Sequence, residues 1–119
     1  MRRETQDGTQ SFFKRGAATL CLMSLLSKNE MYGYELVQAM ERISEGRFYL
    51  PEGTLYPILY RLDDSGYLET RRVLTGKRMQ RVYYRLSEKG REYYEEMLKD
   101  YHNTFDGVEL ILNYSDEKE

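Results

Sequence analysis

Between Tyr94 and Leu112 the large side chains Tyr94, Leu98, Tyr101, Phe105, Val108 and Leu112 recur at intervals of 4, 3, 4, 3 and 4. This is a heptad seam sustained over nearly three heptads, with Met97, Thr104 and Ile111 beside it. It demands one long helix, from Glu88 to Asn113, about 39 Å of rod at 1.5 Å per residue. The rest of a 119-residue chain builds too small a body to cover such a rod. Part of the seam therefore calls for a second copy of the chain. The plainer alternative folds all of it back onto the first helix. In the dimer reading Phe12 and Phe13 of that first helix join Tyr94, Met97, Leu98, Tyr101, Phe105, Val108 and Leu112 at the interface. Gly107, inside the seam, marks a close approach or a bend, since it costs about 1 kcal/mol in a helix.

The chain before the seam divides in two. Residues 1–11 are polar and read as a flexible arm. From Phe12 to Lys28 the period is helical, with Ala17, Leu20, Cys21, Ser24 and Leu25 on one stripe and Leu22, Met23 and Leu26 widening it. A second helix spans Gly33 to Ser44, with Leu36, Val37, Met40 and Ile43 facing inward, and Gly46 ends it. A third starts between Pro51 and Thr54 and stops near Asp64–Gly66. Thr54 is a candidate N-cap, a start that would leave Pro57 where its missing N–H has no intrahelical use. Leu55, Ile58, Leu59 and Leu62 share its inner face, and Tyr56, Pro57, Tyr60 and Arg61 fall on or beside the outer one. After Gly66 the period drops to two. Tyr67–Leu74 and Gln80–Leu86 are strands, the second alternating Val82, Tyr84, Leu86 against Arg81, Tyr83, Arg85. Gly76 sits in the hairpin tip between them. Ser87 is the expected N-cap of the long helix, with Gly90 at its third position.

Charge is segregated along this order. Residues 1–66 carry eight basic and nine acidic side chains, residues 67–91 eight and two, and residues 92–119 two and nine. A net charge of −2 thus hides a +6 hairpin segment followed by a −7 helix and tail. The first fits a surface that faces phosphate, the second one turned away from it. One cysteine and one histidine, Cys21 and His102, rule out a disulfide framework and the usual cysteine or histidine metal clusters. No nucleophile–base pair or phosphate-cradling glycine loop appears, so no enzyme, metal or cofactor is implied. The longest apolar run, Ala17 to Leu26, is too short to cross a bilayer, and the polar N-terminus lacks a signal core. The expectation is a soluble, intracellular protein.

Three helices, a basic hairpin and a long helix are the order of a winged helix–turn–helix. The expected fold is mainly α (α+β): a winged helix–turn–helix domain over residues 12–87 with a two-stranded wing. A C-terminal dimerisation helix over 88–114 and a charged tail over 115–119 complete it. The third helix would enter a DNA major groove, where N-terminal residues sit nearest the base edges. Its only early acid is Glu52, and Asp63 and Asp64 lie at the far end. The wing offers Lys77 and Arg78 at its tip and Arg71, Arg72 and Arg81 on its strands, for phosphates or the adjacent minor groove. The candidate DNA-binding residues are Tyr32, Tyr34, Gly53, Thr54, Tyr56, Pro57, Tyr60, Arg61, Arg72, Lys77, Arg78 and Arg81. Tyr56 enters because it points away from the leucine face. Of Tyr32 and Tyr34, at least one is expected in the core. Cys21 reads as a buried small apolar residue, and His102 as a partly exposed neighbour of the seam.

Four segments carry a family resemblance. They are Met31-Tyr32-Gly33-Tyr34-Glu35-Leu36, then Glu52-Gly53-Thr54-Leu55-Tyr56-Pro57-Ile58-Leu59-Tyr60-Arg61-Leu62, then Gly66-Tyr67-Leu68, and Arg81-Val82-Tyr83-Tyr84-Arg85-Leu86-Ser87-Glu88-Lys89-Gly90. Over roughly residues 14–114 the chain resembles the PadR family of transcriptional regulators, in its short subgroup. The resemblance implies a small dimeric prokaryotic repressor in the cytoplasm, on the nucleoid when bound to a pseudo-palindromic operator. It also implies sensing of aromatic or drug-like compounds. A pocket for such an effector would be lined by Phe13, Leu20, Met97, Tyr101 and Phe105. Short members that trap flat drugs use a tryptophan in the dimer helix; this chain has none, and Tyr101 stands in the seam. The rival reading keeps the fold but makes it a protein–protein interaction module, its basic hairpin docking on an acidic surface.

Overall fold

The computed structural model describes residues 8–116, and within the first helix the side chains of residues 8–12 and 15 fall outside that description. Among the described residues the order is α1 (Gly8–Lys28), β1 (Met31–Tyr32), α2 (Gly33–Ile43), α3 (Glu52–Asp64), β2 (Leu68–Thr75), β3 (Met79–Leu86) and α4 (Glu88–Leu112). This is the winged helix–turn–helix order with a long closing helix. Helix α1 starts at Gly8, so residues 8–11 are helical rather than part of an arm. Residues 1–7 and 117–119, given above to the arm and the tail, lie outside the described ones.

The core forms where α1, α2 and α3 meet the inner face of the sheet. It contains Ala18, Leu22, Met23 and Leu26 of α1, Leu36 and Met40 of α2, Leu55, Ile58, Leu59 and Leu62 of α3, and Leu68, Tyr84 and Leu86 of the strands. The face of α1 that closes this core differs from the expected stripe. Ala17, Leu20, Cys21, Ser24 and Leu25 are only half-buried, and the residues thought to widen the stripe are its centre. Helix α1 is apolar almost all round between residues 17 and 26, so periodicity alone cannot rank its faces; tertiary packing does.

The sheet has three antiparallel strands in the order β1-β3-β2. β2 and β3 pair from Leu68↔Leu86 to Thr75↔Met79, and Met31 and Tyr32 of β1 sit opposite Tyr84 and Tyr83. The wing is therefore more than a two-stranded hairpin. β1 escapes a sequence reading because two residues carry no measurable period. It ties the start of α2 to the wing, and the Tyr32 N–H donates to the Glu35 carboxylate at 3.2 Å in the first turn of α2.

Helices α2 and α3 stop in the same way. In α3, Tyr67 N–H reaches the Leu62 carbonyl (2.9 Å) and Gly66 N–H the Asp63 carbonyl (3.0 Å), with Gly66 left-handed at φ 82°. This double closure is the Schellman arrangement. After α2 the left-handed place is filled by Glu45 at φ 58°. Helix α3 begins at Glu52 with Pro51 at the N-cap, so Thr54 is not the cap. Its N–H instead reaches the Pro51 carbonyl at 3.0 Å. Pro57 then stands sixth in the helix, with no N–H to give the Gly53 carbonyl. That loss is tolerable because Gly53 is exposed and water can serve it.

Helix α4 opens as expected: the Ser87 hydroxyl accepts from Gly90 N–H at 3.0 Å and donates to the Gly66 carbonyl at 2.7 Å. Gly90 itself is a close-approach glycine. A Cβ there would overlap the Tyr67 carbonyl oxygen, which already accepts from Ser87 N–H at 3.0 Å. One backbone carbonyl thus joins the exit of α3, the end of the wing and the start of α4.

Candidate DNA-binding surface

The outer face of α3 presents Gly53, Thr54, Pro57, Tyr60 and Arg61, all exposed. No acidic side chain among the described residues pairs with Arg61. Tyr56 departs from expectation. It is half-buried against the core, and its hydroxyl lies over Gly33, where a Cβ would overlap it. Its ring tilts against Tyr60, 5.8 Å between centroids. Burial, with Glu52 and Tyr60 nearby, raises its pKa, so it remains a neutral phenol. Tyr56 locks α3 onto the first turn of α2; Tyr60 is the exposed aromatic residue of α3.

The eight cations of residues 67–91 separate into two sets. Four are held by the fold. Arg71 pairs with Glu30 across 41 residues of sequence and lies over the Tyr83 ring. Arg85 meets Glu69, directly opposite it in the ladder, at 2.8 Å. Lys89 donates to the Ser65 carbonyl at 2.9 Å, and Arg91 to the Ser27 carbonyl at 3.3 Å. The Arg71 guanidinium, as hydrogen-bond donor and then as nearby charge, holds the Glu30 carboxyl below its ordinary pKa. The other four, Arg72, Lys77, Arg78 and Arg81, are exposed and have no carboxylate partner among the described residues.

These four occupy the outer half of the hairpin on both faces. Strand alternation and register put Arg72 on the face shared by Leu68, Tyr84 and Leu86, the side on which α3 packs. The Tyr84 pKa reflects that neighbourhood: burial raises it most, Tyr60, Tyr56 and Asp63 add to the rise, and Arg72 opposes it. Arg81 lies on the other face, its guanidinium 4.4 Å from the centre of the Tyr32 ring. Lys77 and Arg78 lie in the loop between the strands.

Neither Tyr32 nor Tyr34 is in the core, contrary to expectation. Tyr32 packs edge-on against Tyr83, centroids 5.3 Å apart, on the outer face of the sheet. Tyr34 is exposed on α2, where the Gln38 amide donates to its hydroxyl at 2.8 Å. Because β1 ends at Tyr32, the residue turns with the strand, away from the helices. Sequence reasoning missed Glu30, Glu69 and Tyr83, which immobilise the arginines at the base of the wing. Glu69 and Tyr83 become legible only with the register, and Glu30 only with β1.

A second concavity lies between α1 and α4. It is an open groove of about 660 Å³ whose lining includes Phe13, Leu20, Met97, Tyr101 and Phe105, the five residues assigned to an effector pocket. Lys14, Arg47, Phe48, Asp100 and Thr104 complete its polar and aromatic rim. Tyr94, Met97, Leu98 and Val108 of the seam are half-buried, whereas Tyr101, Phe105 and Leu112 are exposed, and Phe12's side chain is outside the described ones. Leu110, Ile111, Leu112 and Tyr114 are each more than 70 % exposed. Cys21 is half-buried rather than fully buried, on the wall of a small cavity of about 200 Å³ between α1 and α2. Burial pushes its thiol pKa up, away from the reactive thiolate. His102 is exposed, edge-on to Tyr101.

Residues 22–96, which contain the helix–turn–helix, the wing and the start of α4, match the model of the transcriptional regulator PadR-like family. The chain belongs to the PadR-like family. The family is one of transcriptional regulators. It is similar to the transcriptional regulator YqjI of Escherichia coli, 31% identical over 87 residues, or 73% of this chain and 40% of that protein. This PadR-like chain thus spans less than half the length of that relative. Among solved structures it resembles a PadR family regulator from Eggerthella lenta, with 28% identity, a TM-score of 0.79, and coverage of 87% of this chain and 88% of that one. A PadR-like regulator from Bacillus cereus is 26% identical with a TM-score of 0.75, covering 88% of this chain and all of that one. No helix among the described residues is long and apolar enough to cross a membrane.

Proposed function

We propose that this PadR-like regulator is a cytoplasmic, homodimeric repressor that binds duplex DNA through α3 and the wing. The observation that carries the reading is the division of the wing's cations. Arg71 and Arg85 are tied down at its base by carboxylates, and Arg72, Lys77, Arg78 and Arg81, toward its tip, have no carboxylate partner among the described residues. Arg61, Thr54 and Tyr60 would meet the major groove or its flanking phosphates. Arg72, Lys77, Arg78 and Arg81 would meet phosphates or the neighbouring minor groove. The acids of α4 lie on an element separate from α3 and the wing.

The bare end of the seam supports homodimerisation through α4. Leu110, Ile111 and Leu112 form an apolar end that one protomer leaves in water. Two copies would then carry two α3 helices to successive major grooves of a pseudo-palindromic operator, roughly 34 Å apart. The groove between α1 and α4 is the candidate effector pocket, with apolar walls and a few polar rim groups suited to an aromatic compound. An effector there would release DNA only by preferring one spacing of the two α3 helices over another.

Binding to the protein's own upstream region and to random-sequence duplex across a salt series tests the reading. Tight, upstream-selective binding that weakens steeply with salt is expected. No retention of either duplex at low salt would favour the interaction-module alternative.

A further inference from the structure

On α2 the apolar stripe Leu36, Met40 and Ile43 runs at intervals of 4 and 3, yet its members fare differently. Leu36 and Met40 are buried in the core, whereas Ile43 is 59% exposed. The stripe outruns the cover that α1 gives it, and the space left there is the cavity of about 200 Å³ between the two helices. Cys21 and Leu25 of α1, Ala39, Met40 and Ile43 of α2, and Phe48 of the loop that leads to α3 wall it. No charged side chain among the described residues lines it. Its two hydroxyls are engaged with the protein itself. Ser44 Oγ accepts from the Phe48 N–H at 2.9 Å and donates to the Glu41 carbonyl at 3.3 Å, and Ser24 Oγ accepts from the Lys28 ammonium at 3.1 Å. The cavity therefore offers nothing to a charge and little to water, which needs several polar partners to be held.

We infer that this cavity binds a neutral aromatic hydrocarbon of one ring, one molecule in each protomer. Volume sets the size: an apolar cavity of about 150 Å³ takes up benzene. The walls set the chemistry. Thioether and thiol sulfurs make favourable contacts with aromatic rings, and Met40 and Cys21 supply one of each. Phe48 adds a ring for edge-on or offset packing. Burial keeps the Cys21 thiol neutral, so it serves as an apolar wall. A helix of a second copy is a poor match, because a helix with its side chains is about 10 Å across. The site differs from the groove between α1 and α4, whose rim carries Lys14, Arg47 and Asp100. Phe48 lines both. The inference needs neither DNA nor a dimer, so it stands or falls apart from the function proposed above.

The test titrates the full-length protein with toluene and follows two signals. Cys21 is the one cysteine of the chain, so its alkylation by N-ethylmaleimide reports on this cavity alone. Toluene at about four times its dissociation constant leaves about a fifth of the sites free and should slow that alkylation about fivefold. The methyl NMR signal of Met40, which needs no labelling chemistry, should shift in the same titration. Phe105→Asp, altered in α4 and away from the cavity, should keep both responses. Ile43→Ser changes an exposed position at the mouth, so its fold should survive, and it should bind toluene about fivefold more weakly. Cys21→Leu fills the cavity and should lose the Met40 shift. An unchanged alkylation rate and an unmoved Met40 signal at the solubility limit of toluene would overturn the inference. So would shifts at Tyr101 and Phe105 with Met40 unmoved, which would place the toluene in the groove between α1 and α4. Protection of Cys21 that grows with protein concentration in the absence of toluene would assign the cavity to contact between copies and overturn the inference as well.

Discussion

The base and the tip of the wing are built from the same residue types on the same two strands, yet they treat charge in opposite ways. At the base, Arg85 faces Glu69 across the ladder, and Arg71 is clasped by Glu30 and covered by Tyr83. At the tip, Lys77 and Arg78 face solvent beside exposed Leu74 and Met79. An exposed ion pair adds little stability, commonly under about 1 kcal/mol. The base pairs therefore act mainly as fixtures of geometry: Glu30 belongs to the α1–α2 junction, so its contact with Arg71 fixes the angle at which the wing leaves the body. A cation already held this way has little left to offer a phosphate. A net count of +6 over residues 67–91 thus overstates the charge free to meet a phosphate, and the four cations without a carboxylate partner among the described residues are its better measure.

The sharpest break of the base would come from Gly90→Ala. The new methyl would strike the Tyr67 carbonyl oxygen, which is backbone and cannot step aside. Overpacking of this kind costs about 3 kcal/mol, and thermal denaturation should show a melting temperature roughly 10 °C lower. Gly90→Ser should be at least as damaging; a stable Gly90→Ala would mean that the junction of α3, wing and α4 is looser than described.

Next in size is the seam. Phe105→Asp should turn a dimer into a monomer in sedimentation analysis, since it places a charge in the apolar seam. Thermal unfolding of the winged domain should change far less, because Phe105 lies outside the core. A variant that still sediments as a dimer would remove α4 from the interface.

Glu30→Gln sharpens the comparison itself. Its carboxyl is held below the ordinary carboxylate range, so its contribution is present at neutral pH and disappears as pH falls through the lowered value. The melting-temperature gap between wild type and variant should therefore be open at neutral pH and close well below pH about 4. In DNA binding the variant frees Arg71, which should steepen the salt dependence by up to about one ion. The smallest effect is expected at Glu45, left-handed at the end of α2. Glu45→Gly should stabilise the protein by about 0.5–1 kcal/mol in denaturant unfolding.

Local chemistry explains what the sequence made readable. Ser87 and Gly90 announce the start of α4, the alternation from Arg81 to Leu86 orients β3, and the heptad spacing places the seam. The five residues of the expected pocket line one groove because Phe13 and Leu20 on α1, and Met97, Tyr101 and Phe105 on α4, each follow a helical period. What escaped depends on contacts distant in sequence. Two-residue β1 has no period, and without it Tyr32 and Glu30 cannot be assigned to the wing. Tyr56 lies on the outer side by angle alone, but Gly33 has no side chain, and that space lets the phenol turn inward. The start of α3 at Glu52 was obscured by Pro57, whose cost is small where the orphaned carbonyl meets water.

The most direct test of the account is the salt dependence of duplex binding in two charge-removal variants. One takes away Arg72, Lys77, Arg78 and Arg81; the other takes away Arg71 and Arg85, all replaced by alanine. Each phosphate contact contributes about 0.9 to the slope of log affinity against log salt. The account predicts that the first variant loses roughly three to four units of slope and that the second loses less than about one. Equal loss per charge in the two variants, or no loss in the first, would contradict it.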